Sequence, residues 1–370
     1  MKAAMKAAMK AAVLKAFGSP LVVETVPAPT IGTGEVIVDV IAAGVLPYAN
    51  EVFSGERRYL LELPAIPGAG GIGRVRAIGP DATRLAVGDW VYCDPTVRAR
   101  DAALAPDITL QGLSARGEGG IKLQRRFRHG AFAEQMMVPT ENVKRIGSID
   151  EADAAKWCAL GTLLVPYGGF LAAGLQPGET VLVSGATGNF GSAAVSVALA
   201  MGAACVVAPG RNETVLSDLA GRFGSRVRPV KLSGNEDDDR ERMKQAADTI
   251  DCVLDILPPS VSATVARAAI MAVRSYGRVA LMGGVGMLGG PDLELPYPWI
   301  MRNCVTIHGV WLCPPDAATR LIALIRSGLL QLDQHEVTRF DLDHANEAVV
   351  HAAANAGPFK MTVIEPQGGA

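Results

Sequence analysis

Aromatic residues are scarce in this 370-residue chain, 5% of the total, and neither sign of charge dominates: 35 Lys and Arg face 37 Asp and Glu, a formal net charge of −2. Without a basic excess or a basic cluster, the chain lacks the electrostatic footprint that nucleic-acid or anionic-membrane binding requires. Long apolar runs are missing too, so no membrane span is expected. Six cysteines (Cys93, Cys158, Cys205, Cys252, Cys304 and Cys313) lie far apart with no C-x-x-C pair. That spacing gives neither a disulfide framework nor zinc-ligand geometry, and a reducing cytoplasm is the expected compartment. The opening MKAAMKAAMKAA repeats one four-residue unit and has no apolar core of the signal-peptide kind. Residues 1–8 are expected to form a disordered extension. What the chain does have is apolar content, 49%, enough to fill about two domains.

One stretch organises the rest. Thr180 to Ala203 reads TVLVSGATGNFGSAAVSVALAMGA. It has a buried-strand pattern centred on Val181, Leu182 and Val183, a glycine-spaced turn, then small and apolar residues at helical spacing through Met201. This is the opening of a dinucleotide-binding βαβ unit with the spacing Ala186-x-Gly188-x-x-Gly191. Gly188 lets the backbone approach a pyrophosphate, Gly191 lets the helix pack on the strand, and the helix N-terminus points N–H groups at the phosphates. The cofactor-binding candidates here are Ser184, Gly185, Ala186, Thr187, Gly188, Asn189, Phe190 and Gly191. The alternative is a glycine-rich turn that binds nothing.

The second strand of the unit speaks to which dinucleotide is used. NAD-binding folds carry an acid about 20 residues beyond the glycines, where it accepts hydrogen bonds from the ribose 2′-hydroxyl. Here the strand Cys205–Ala208 is followed by Pro209-Gly210-Arg211-Asn212, with no carboxylate. Gly210 offers close backbone approach, Arg211 a cationic fork for a phosphate, and Asn212 a neutral donor. NADP is therefore the expected cofactor. Glu213 is the one nearby acid that could oppose this, if the strand ends later.

From Met9 to about Thr140 the chain is broken into short β-prone runs at hairpin-like spacing, the mark of a compact β-rich domain. Between Asp94 and His129 lies a long arginine-rich segment without periodicity, read as a lobe or lid. A helical stretch, 151–173, leads into the glycine turn. Six candidate strands (Val181–Ser184, Cys205–Ala208, Val227–Leu232, Cys252–Ile256, Arg278–Met282, Val305–Gly309) then alternate with helical patterns. The fold class is α/β: a Rossmann doubly wound parallel sheet plus a β-rich domain.

Several motifs stand in a characteristic order: Gly68-x-Gly70-x-x-Gly73-x-Val75, Gly88-Asp89-Trp90-Val91, Gly130-x-Phe132-Ala133-Glu134, GETVLVSGATGNFG, and Asp251-Cys252-Val253-Leu254-Asp255. In this the chain resembles the medium-chain dehydrogenase/reductase superfamily over residues 9–365. The resemblance implies a GroES-like catalytic domain, residues 9–150 and 315–370, a Rossmann domain, 151–314, between them, and an active-site cleft where they meet. It also places the nicotinamide near Gly283, Gly284 and Val285. Where zinc-dependent relatives carry their catalytic ligands this chain reads Leu46, Ala69 and Gly161, none of which can bind a metal. The four cysteines of the structural zinc lobe are missing too. No metal is expected, and the resemblance is to the zinc-independent branch, similar to quinone oxidoreductases and enoyl reductases.

Without a Lewis acid, another group must supply a proton or polarise the carbonyl. Tyr48 stands where zinc-dependent relatives carry the Ser or Thr of their proton relay, and it is read either as the donor or as an apolar wall of the cleft. Asn50 is a second, weaker donor. The apolar residues Leu46, Phe53, Tyr59 and Trp299 favour a small hydrophobic or aromatic carbonyl substrate. The expected activity is hydride transfer from NADPH to a quinone, enone or other activated carbonyl. The alternatives are a zinc-free alcohol dehydrogenase and an NADPH-binding protein with little turnover. Relatives suggest a homodimer paired through the last sheet strand.

Overall fold

The computed structural model describes residues 7–368. Contacts divide the chain into two units, one of residues 1–161, 332–356 and 360–370, the other of residues 162–331 and 357–359. The section from about Pro314, expected to return whole to the first domain, is therefore split. Residues 315–331 stay with the second unit, and so does the short piece Gly357–Phe359.

The first unit begins with an antiparallel ribbon, β1 (Ala8–Val13) and β2 (Val22–Pro27). Ala8, read from sequence as part of a disordered extension, pairs with Pro27. The repeat MKAA looks uniform, but its third copy alternates burial and carries Ala11 and Ala12 wholly buried. Residues 1–6 lie outside the described residues. Next come β3 (Glu35–Val45), the short helix α1 (Ala49–Phe53), β4 (Gly71–Ile78) and β5 (Trp90–Cys93).

The arginine-rich segment forms a small antiparallel sheet, β6 (Thr96–Arg98), β7 (Ile108–Leu110) and β8 (Ser114–Ala115), followed by α2 (Gly117–Gln124). Strands of two or three residues are too short to show alternation, which is why the sequence looked aperiodic. Its arginines fasten it down. Arg126 Nε donates to the buried Glu35 at 2.8 Å, Arg100 binds Glu141 at 2.6 Å and the Gly34 carbonyl at 2.7 Å, and Arg125 binds Glu62 at 2.9 Å. β9 (Gln135–Pro139), β10 (Val143–Arg145), α3 (Ala154–Trp157) and α4 (Ala159–Ala173) follow.

The second unit is a six-stranded parallel sheet: β11 (Thr180–Ser184), β12 (Cys205–Gly210), β13 (Val227–Lys231), β14 (Cys252–Asp255), β15 (Arg278–Leu281) and β16 (Thr306–Gly309), in the order β13-β12-β11-β14-β15-β16. The central strands β11 and β14 are almost wholly buried, while the edge strands β13 and β16 alternate or face outward. Burial on both sheet faces is what continuous Val and Leu runs allow. The crossovers are α5 (Asn189–Ala200), α6 (Glu213–Phe223), α7 (Glu236–Gln245), α8 (Ala263–Ile270) and α9 (Tyr297–Arg302).

Small side chains let α5 lie close on the sheet: Ala193, Ala194, Val197 and Ala198 are all buried. The acidic start of α7 is a helix cap. Asn235 accepts from the Asp237 and Asp238 N–H groups, Glu236 pairs with Arg267, and Asp239 turns inward to accept from Ser233 and Gly234. A core of Leu182, Val207, Val253, Ile270, Val279 and neighbours lies against one face of the sheet. The chain closes with α10 (Ala317–Arg326), β17 (Glu336–Asp341), α11 (Ala345–Ala354) and β18 (Lys360–Glu365). β18 pairs antiparallel with β3, completing a sheet whose path runs β10-β5-β4-β3-β18-β17.

Candidate functional site

The turn between β11 and α5, expected to bind a pyrophosphate, is built by its glycines, with roles distributed differently from the sequence reading. Gly185 takes the left-handed conformation, φ +100°, that turns the chain off β11. Gly188 N–H then closes the turn onto the Gly185 carbonyl at 2.9 Å, and Gly188 caps α5 with no side chain of its own to accept from the first helical turn. A Cβ at Gly191 would run into the Gly185 carbonyl oxygen, so the third glycine is required by the turn itself. At Gly188 the same test finds only an ordinary contact, 3.4 Å to that oxygen. A pyrophosphate fits such a turn: a helix of twelve residues starts there, and no carboxylate lies in Ser184–Ser192. Within the same unit Asn189 Nδ2 donates to the Gly357 carbonyl at 3.3 Å, and the Phe359 N–H donates to Ser192 Oγ at 3.2 Å.

At the tip of β12 the strand runs two residues further than the sequence reading placed it, through Gly210. Gly210 makes room for a protein side chain, because a Cβ there would collide with Thr187. Asn212 caps α6, its Oδ1 accepting from the Val215 N–H at 3.2 Å, so the side chain read as a spare donor has a structural duty. Arg211 is exposed, and its carbonyl accepts from Lys231 Nζ at 2.6 Å. Glu213, the acid that a later strand end would bring into play, opens α6 and faces Lys231 at 3.4 Å. Lys231 went unnoticed in the sequence because it reaches this tip from β13, 20 residues on.

The C-termini of β11 and β14 meet where the strand order reverses, and Ser184 and Asp255 are direct partners there. Asp255 is 4% exposed. Burial pushes its carboxyl up to about 7, against a hydrogen bond from Ser184. Gly283 and Gly284 follow β15. A Cβ on the first would sit 2.6 Å from Asp255 Oδ2, and on the second 2.9 Å from Pro259. Val285 packs partly against the unit's core.

In the first unit Tyr48 precedes α1, its ring half-buried. The Arg57 guanidinium lies over that ring, 4.0 Å from its centroid, and the Tyr59 ring meets it edge-on at 6.5 Å. Arg57 is held by Glu51 at 2.7 Å and reaches the Tyr59 hydroxyl at 3.4 Å. Burial, then Tyr59, push the Tyr48 hydroxyl well above the ordinary phenol range; Arg57 opposes them. Sequence reasoning missed Arg57, since Glu51 and Arg57 meet across a non-helical turn for which no spacing rule exists. Asn50 is exposed on α1. Phe53, expected to line the cleft, is buried with Ala49 and Val52, and Trp299 packs on the second unit's core.

Leu46, Ala69 and Gly161, the positions expected to correspond to catalytic zinc ligands, offer no donor to a metal. Among the described residues no three His, Cys, Asp or Glu are gathered to hold one.

Residues 32–148 match the alcohol dehydrogenase GroES-like domain. An alcohol dehydrogenase of Geobacillus stearothermophilus is 29% identical over 295 residues, 78% of this chain and 79% of that protein. Among solved structures, a protein of Sinorhizobium meliloti 1021 bound to NADP superposes with a TM-score of 0.78 at 21% identity, covering 97% of this chain and 100% of the other. A short chain alcohol dehydrogenase of E. coli CFT073 complexed with NADH gives 0.77 at 18%, covering 97% and 99%. At such identities the structural likeness speaks for the fold. Residues 32–148 thus carry the alcohol dehydrogenase GroES-like domain, and the chain is similar in sequence and in fold to alcohol dehydrogenases.

Proposed function

We propose that this protein is an NADP-dependent, zinc-independent oxidoreductase that reduces an activated carbonyl, enone or quinone. The observation that carries the cofactor reading is the tip of β12, where Arg211 is exposed, Lys231 stands beside it, and the carboxylate that follows, Glu213, faces Lys231. A 2′-phosphate there meets two cations, whereas a 2′-hydroxyl finds no free acid to accept its hydrogen bond. The bound cofactor supplies a hydride. The chain's own contribution is to hold the pyrophosphate at the N-terminus of α5, to fix the ribose end at Arg211, and to keep a proton on the Tyr48 hydroxyl. The similarity to alcohol dehydrogenases favours one second reading, the oxidation of an alcohol by the same residues run in reverse.

NADPH is expected to be preferred over NADH by at least tenfold in kcat/KM, about 1.4 kcal/mol. Arg211→Ala should erase most of that preference, which steady-state kinetics with both cofactors on a panel of enones, quinones and aldehydes will read. Equal use of the two by the wild-type protein would sink the assignment. Purified protein should hold less than about a tenth of an equivalent of zinc, and a chelator should leave activity unchanged. Stoichiometric, tightly bound zinc would refute that part.

A further inference from the structure

The parallel sheet divides between β11 and β14, with β12 and β13 on one side and β15 and β16 on the other. In a doubly wound sheet each half takes one mononucleotide, and the ligand lies outside the strand C-termini where the order reverses. Given the dinucleotide reading above, on which this inference rests, the phosphate turn and Arg211 assign the adenosine end to the β11–β13 half. The nicotinamide end then falls to β14–β16.

Asp255 is the last residue of β14, in register with Ser184 at the end of β11 and Leu281 at the end of β15. It is almost wholly buried, and among the described residues Oδ1 has no hydrogen-bond partner. An orphaned oxygen on a buried carboxyl asks for a physical reason. Space for it is reserved by Gly283, where a Cβ would stand 2.6 Å from Oδ2 and 2.9 Å from the Leu257 backbone.

Among the described residues, the elements packed around it hold no cation for it: Arg278, on the paired strand β15, stands opposite Cys252 at the other end of β14 and is held by Glu179. Ser184 faces it from β11, and α5, which packs on β11, has no titratable residue from Asn189 to Ala200. On α8, which packs on β14, the one titratable group is Arg267, and Glu236 holds it at 2.6 Å. On α4, whose Gly169 abuts Leu254, the one titratable side chain is Tyr167, its hydroxyl kept protonated by burial.

We propose that Asp255 is a positioning residue that discriminates between the two redox forms of the cofactor: its carboxylate favours the positively charged oxidised nicotinamide ring over the neutral reduced one, and protonation abolishes the preference. The adenosine, pyrophosphate and 2′-phosphate are common to both forms, so the ratio of their dissociation constants isolates the ring. Since the carboxyl titrates near 7, raising the pH from 6 to 8.5 fills the carboxylate state, and NADP+ must gain on NADPH over that window.

The test is direct titration of the protein with NADP+ and with NADPH, by calorimetry or fluorescence, from pH 6 to 8.5. In the wild type the ratio should move toward NADP+ by at least about threefold, and in Asp255→Asn, which keeps the shape without the charge, by less than about 1.5-fold. A merely structural role would weaken both forms alike at every pH and leave the slope intact. A flat ratio in the wild type, or the same slope in Asp255→Asn, overturns the proposal while dinucleotide binding stands. Failure of either form to bind overturns the dinucleotide reading and this inference with it.

Discussion

Tyr48→Phe is expected to lower kcat by about ten- to a thousandfold while leaving NADPH affinity nearly unchanged, the range for loss of one proton donor. The argument begins with the ring's surroundings. Arg57 lies flat over it at 4.0 Å and is itself anchored by Glu51, so the tyrosine is fixed by a cation–π stack and not by packing alone. Burial keeps the hydroxyl protonated through the physiological range, so the proton is in place to be given up, although the same burial makes the phenol a weaker acid. The phenylalanine variant keeps the ring and the stack, so a lost rate reports the hydroxyl. Stopped-flow or steady-state assays with a saturating acceptor decide the matter, and a wild-type rate in the variant would assign the proton to solvent or to a ribose hydroxyl.

Gly191→Ala should be the most damaging single methyl in the dinucleotide unit. The added Cβ meets a backbone carbonyl, that of Gly185, which cannot swing aside as a side chain would. Overpacking of this kind costs about 3 kcal/mol or more, a fall in melting temperature of roughly 6–12 °C for a domain of this size. Dinucleotide binding should disappear with it, because the same turn presents the helix N-terminus. Gly188→Ala is the matched control: its Cβ finds an ordinary 3.4 Å contact, and φ is −92°, open to any residue. The control should melt within about 1 kcal/mol of wild type, so that any loss of affinity it shows reports crowding of the phosphate. Calorimetric melts with and without NADPH check both, and a Gly191→Ala protein that melts like the wild type would refute the packing argument.

The parallel sheet was legible because its inner strands are buried on both faces and therefore read as apolar runs. All six were placed from Val181, Cys205, Val227, Cys252, Arg278 and Val305 onward, with ends within two residues. Boundaries failed where local pattern carries little information. Pro209 and Gly210 look like turn residues, yet Gly210 stays in β12, where it leaves room for Thr187. The same holds for side chains that meet only after folding. Lys231 joins Arg211 from a neighbouring strand, Arg57 joins Tyr48 across a turn, and Asp239 takes the N–H groups of the loop before α7. Phe53 shows the converse error: an aromatic in a loop-rich stretch suggests a cleft wall, but its place on the inner face of α1 puts it in the core. Residue type announces chemistry; the direction a side chain faces is decided by partners distant in sequence.

Gly357–Phe359 contacts the first turn of α5, although the last sheet strand, β16, ends at Gly309. A chain emerging from the ribosome thus exposes every strand of the dinucleotide sheet well before the residues that close over its phosphate turn. The second unit is finished only near the end of synthesis, just before β18 of the first, so a nascent or C-terminally clipped chain carries the sheet without the carbonyl and N–H that Asn189 and Ser192 engage. Completion of the polypeptide is in this way coupled to the readiness of its nucleotide site.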